Sequence, residues 1–122
     1  MNKEEYKAQF SAHVKDLQNQ ITQRMQELDF GLKVEEDRWE RLDFEENPGG
    51  GGITRAFQGE LFENAGVNTS EIKGLIDPTF ASKLQVTSNE LWAAGISLII
   101  HPINPKVPTV HANFRMIEQG DK

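Results

Sequence analysis

Tyr6, Phe10, Val14, Leu17, Ile21, Met25 and Leu28 recur at intervals of 4, 4, 3, 4, 4 and 3 residues, the period of one face of an α-helix. The spacing predicts one long amphipathic helix over residues 3–29, with its apolar stripe laid on a sheet. Lys15, Asp16, Gln18, Asn19, Gln20 and Gln23 fall between the apolar positions and are expected to face water. Residues 32–41 mix apolar and charged side chains without a clean period. Phe44 to Pro48 leads into Gly49-Gly50-Gly51-Gly52, which reads as a flexible turn because glycine restricts the backbone least. From Ile53 the pattern is β-rich: Ile53–Phe57 and Glu60–Asn68 flank Gln58-Gly59, and Ile96–His101 and Thr109–Ile117 flank a link rich in proline. Phe80–Trp92 reads equally as a short helix or an irregular excursion. The expectation is an α+β fold in a single domain, residues 1–122, with a helix over 3–29 and β-rich chain over 32–118 forming an antiparallel sheet covered by helices.

Composition narrows the function classes. The chain has 122 residues, with 13 Lys+Arg against 19 Asp+Glu and a net charge of −6. An acidic chain is poorly suited to general nucleic-acid binding, which rests on neutralising phosphates. There is no cysteine, so disulfides, thiolate metal sites and thiol nucleophiles are excluded. No apolar run approaches the roughly 18 residues of a membrane span. MNKEEYKAQF lacks the apolar core of a signal peptide, which makes the cytoplasm the expected location.

Candidate chemistry gathers on the last two strands. Side chains alternate faces along a strand, so His111, Asn113 and Arg115 point one way while Val110, Ala112, Phe114 and Met116 point the other. Ser97 and His101 share a face of the preceding strand with Ile99. If these strands pair through the proline link, Ser97, His101, His111, Asn113 and Arg115 stand together. Arginine offers a planar fork to a carboxylate, and imidazole exchanges protons near neutral pH, so the set suits an anionic substrate. Two histidines also make half a metal site, which needs three or four ligands; His13, on the helix, is a poor third. The glycine run lacks the Lys-Ser/Thr ending of a P-loop. Its functional alternative is a backbone that approaches a flat ligand closely, with Arg55 beside it as an anion anchor.

Four segments then carry a resemblance in order. They are Gly49-Gly50-Gly51-Gly52-Ile53-Thr54-Arg55, residues 61–70 (LFENAGVNTS), residues 94–105 (AGISLIIHPINP) and residues 107–115 (VPTVHANFR). Together with Trp39-Glu40-Arg41 and the long helix, they resemble the amino-terminal part of oxygen-dependent coproporphyrinogen III oxidase. The resemblance implies an α+β fold built on a large antiparallel sheet, and a homodimer. It also implies oxidative decarboxylation of two propionates of coproporphyrinogen III to vinyl groups, giving protoporphyrinogen IX in haem biosynthesis. Dioxygen would be the oxidant, with no organic cofactor. Position by position, the resemblance makes His111 the proton donor and Ser97, Asn113, Phe114 and Arg115 substrate contacts. It makes His101 and His111 candidate ligands of a divalent metal. Family members are longer, so the expectation is a fragment or truncated relative carrying an incomplete version of a larger sheet. The alternative is a non-catalytic module that binds a tetrapyrrole or a protein partner through the half-fold.

Overall fold

A computed structural model describes residues 2–83, 85 and 89–119. The chain forms helix α1 (Lys3–Leu28), strands β1 (Lys33–Leu42), β2 (Pro48–Gln58) and β3 (Phe62–Leu75), a short helix α2 (Pro78–Lys83), and strands β4 (Glu90–Pro102) and β5 (Val110–Gln119). The strands make one antiparallel sheet in the order β1-β2-β3-β4-β5. This is the expected α+β arrangement of a long N-terminal helix on an antiparallel sheet. Of the undecided stretch Phe80–Trp92, the first residues belong to α2 and the last to β4; residues 84 and 86–88 lie outside the described residues.

Local chemistry accounts for the ends of α1. Asn2 caps it: its side chain accepts from the Glu5 backbone N–H at 2.9 Å, satisfying one of the donors that a helix start leaves open. Glu4 and Glu5 in the first turn suit the positive end of the helix dipole. At the other end the Asp29 N–H bonds the Met25 carbonyl, while the Asp29 carboxylate accepts from the Leu61 N–H at 2.8 Å. The helix terminus is thereby pinned to the β2–β3 turn.

The helix packs on one face of the sheet, against β3 and β4. Val14, Met25, Phe57, Ala65, Val67 and Ile96 form the core, flanked by Phe10, Leu17, Ile21, Leu98 and Ile100. The buried line of the helix is displaced from the apolar stripe: it runs Ser11, Val14, Gln18, Thr22, Met25, whereas Tyr6 and Leu28 are exposed. Gln18, expected to face water, is 1% exposed. Its Nε2 donates at 2.8 Å to the carbonyls of both Ile53 and Val67, and its Oε1 accepts from Thr69 Oγ1 at 3.2 Å. A buried amide is stable only when so satisfied, and here two backbone carbonyls and one side-chain hydroxyl of the sheet supply the partners.

A further correction concerns the glycine run. The mixed stretch 32–41, within the span expected to be β-rich, is strand β1, whereas the glycine run is part of strand β2 and not a flexible turn. Glycine is required at Gly50, where φ is +89° and an added Cβ would run into the Glu71 carbonyl. The chain reverses instead at residues 43–47, where Asp43 organises the turn by accepting from the N–H groups of Glu45, Asn47 and Leu75 at 2.9, 2.9 and 3.1 Å. These bonds, led by that from Leu75, hold the Asp43 carboxyl below its ordinary pKa. Arg55, followed by Arg38, does the same for Glu36. A lowered folded-state pKa adds stability above the ordinary carboxylate value that is lost as pH falls through the folded value. We expect stability to fall on acidification below about pH 4, with Asp43→Asn flattening that limb of a pH–stability curve. A limb unchanged by the substitution would contradict the role of Asp43.

Candidate active site

The face of the sheet opposite α1 carries the chemistry. Cross-strand partners share a face in an antiparallel sheet, so the registers define rows running across all the strands. One row is Trp39, Gly52, Ser70, Gly95 and Arg115; the next is Asp37, Thr54, Asn68, Ser97 and Asn113; the third is Glu35, Ala56, Gly66, Ile99 and His111. His101 lies one row further, opposite Asn64. Small and polar residues therefore floor this face, acidic groups stand on β1, and Arg115 and His111 stand on β5.

The structure brings Ser97, His101, His111, Asn113 and Arg115 to this one face. Ser97 is directly opposite Asn113, and His111 is opposite Ile99 on the adjoining row. His111, Asn113 and Arg115 are exposed, and no ion pair holds Arg115 among the described residues. Its guanidinium is thus available to an outside anion. Phe114 is not part of this set: it pairs with Ile96, so its side chain lies on the helix side, 62% exposed. Arg55 is also on the helix side, where it donates to Glu36 Oε1 at 2.9 Å, to Asn19 Oδ1 at 2.9 Å and to Thr22 at 3.1 Å. It is a strut between helix and sheet, which corrects its reading as an anion anchor.

An open hollow of about 260 Å³ lies between Trp39 and Arg115, with Thr54, Asn68, Ser70 and Asn113 among its lining. Two of these features escape a sequence reading. Trp39 belongs to a strand whose charges obscure its alternation. Asn68 is in a run of small polar residues that signals no site. The Asn68 Oδ1 is buried and has no hydrogen-bond partner among the described residues, flanked in its row by the hydroxyl-bearing Thr54 and Ser97. Gly52 gives Trp39 its seat: a Cβ there would come within 2.5 Å of the indole Cζ2 and 2.7 Å of Cε2. The indole therefore lies directly over the strand, and only glycine allows it.

The metal reading finds less support in the residues. The His101 Nδ1 lies 3.3 Å from the Thr109 hydroxyl, and His111 is on the neighbouring row. Among the described residues no group of three or more His, Cys, Asp or Glu side chains converges on a point where an ion would sit, and two imidazoles fall short of the usual ligand number. The donor set among the described residues does not fit a metal.

No helix among the described residues is long and apolar enough to cross a membrane. Comparison with known protein families adds the decisive finding. The family model for coproporphyrinogen III oxidase matches residues 9–122, a span holding α1 from Gln9 onward, all the strands and every candidate residue named above. The chain belongs to the coproporphyrinogen III oxidase family.

Proposed function

We propose that the open face binds coproporphyrinogen III and takes part in the oxidative decarboxylation of its propionates to vinyl groups. The observation that carries this reading is the single exposed face bearing a guanidinium without an ion pair among the described residues, an amide, a hydroxyl and an imidazole in adjoining rows, on a chain of this family. Arg115 takes a propionate carboxylate through its fork. Asn113 and Ser97, paired across the strands, supply further hydrogen bonds to the same arm. His111, one row along, delivers or receives the proton at the reacting arm. Conversion of two propionates to vinyl groups releases two CO₂ and four electrons, and one O₂ accepts those electrons to become water.

The test is vinyl formation from coproporphyrinogen III in air, followed by chromatography of the products. His111→Ala is expected to lower kcat about 100-fold, the size of one general acid–base contribution, while His13→Ala changes nothing. Arg115→Ala is expected chiefly to raise KM. Full turnover by His111→Ala would remove it from the mechanism. Saturable porphyrin binding by the unmodified protein, without vinyl formation, would favour a non-catalytic tetrapyrrole-binding module instead.

A further inference from the structure

The hollow on the open face has two ends of different chemistry. Arg115, on β5, answers for the charge of a ligand. The other end is the Trp39 indole on β1, half-buried and seated on Gly52. Both are in the same cross-strand row, with Ser70 and Gly95 between them. Five strands at a spacing of about 4.8 Å put the two backbones roughly 19 Å apart. The indole occupies the first part of that span by lying across β2, and the floor beyond it carries no large side chain. A flat ring whose carboxylate arm reaches Arg115 therefore meets a wall of aromatic carbon at its far side.

We propose that Trp39 is a ligand-contacting residue, packing its indole against the ring that bears the carboxylate held by Arg115 and so selecting ring-bearing carboxylates over short ones. The inference rests on the reading of this face as a porphyrinogen site. It adds to that reading a residue whose contribution depends on the body of the ligand rather than its charge. The seat on Gly52 matters for the same reason: a ring held against the sheet presents a fixed surface and loses little freedom on binding.

The experiment uses the full chain and two probes: coproporphyrin III, the air-stable oxidised ring, followed by its visible spectrum, and glutarate, a dicarboxylate with no ring, followed by NMR shifts of the His111 and Arg115 signals. Trp39→Ala is expected to weaken coproporphyrin III about 10-fold, the size of an aromatic contact, and to leave glutarate unchanged. Arg115→Ala is expected to weaken both, and Trp39→Phe to retain most of the ring affinity. If Trp39→Ala leaves coproporphyrin III binding intact while Arg115→Ala abolishes it, the inference fails and the proposed function stands. An equal loss of both probes in Trp39→Ala assigns the residue to structure alone and also overturns the inference. Should Trp39→Ala not fold, Trp39→Phe and Trp39→Leu decide, since only the former keeps an aromatic face. No coproporphyrin III binding by the unmodified protein overturns the functional reading and the inference with it.

Discussion

Gln18→Ala is expected to cost the fold about 3–4 kcal/mol, a large share of the stability of a domain this size. The substitution removes the donor to one buried and one partly buried carbonyl and the acceptor for the Thr69 hydroxyl at once. It also opens a void in the helix–sheet contact. The two causes separate in a second variant. Gln18→Leu refills the volume but satisfies none of the polar partners, and is expected still to lose about 2 kcal/mol. Urea unfolding reads both as shifts in midpoint at constant slope. A Gln18→Leu midpoint equal to that of the unmodified protein would show that the amide contributes nothing beyond its bulk.

The second large effect is Gly50→Ala. It forces a Cβ into the Glu71 carbonyl at a residue whose φ of +89° L side chains rarely adopt. Strain and overlap together are expected to cost about 3 kcal/mol or more and to loosen the end of the β1–β2 ladder, where the register already shifts between Glu40 and Leu42. Gly66→Ala is the control. Its added Cβ would have its nearest neighbours at 3.7–3.9 Å, ordinary contact distances, so the change is expected to fall within about 1 kcal/mol. Hydrogen exchange of the β1 and β2 amides would localise the difference. Equal midpoints for the two variants would mean that the conformation of Gly50 is not imposed by the fold.

These two positions also show where the sequence is readable. The helix is legible because seven apolar residues keep its period, but its centre line is not, because Ser11, Gln18 and Thr22 carry polar groups whose partners are the Glu71 carboxylate for Ser11, the carbonyls of Ile53 and Val67 for Gln18, and the Gln18 carbonyl and Arg55 for Thr22. No periodicity reveals a hydrogen bond to a strand that is distant in sequence. Strand β1 is hidden because Glu36 and Arg38 on the helix side are as charged as Glu35 and Asp37 on the open side. The glycine run has no side chains to alternate, so composition alone suggests a turn. The later strands are different: Ile96, Leu98 and Ile100 face the helix against Val110, Ala112 and Phe114, and that alternation is visible in the letters. The polar set of the open face could therefore be assembled in advance, whereas Trp39 and Asn68 could not. Phe114 shows the opposite limit, since a motif match placed it with its neighbours while strand geometry sends it to the other side.

The order of strands has a consequence for how the molecule assembles. Each strand pairs with the one synthesised immediately before it, so the sheet can grow by successive short-range closures that cost little chain entropy. The helix precedes every strand in the chain, yet it packs on β3 and β4, and so is translated well before its permanent seat exists. During that interval Phe10, Val14, Ile21 and Met25 have no sheet to cover them, making α1 the natural point at which a nascent chain would engage a chaperone.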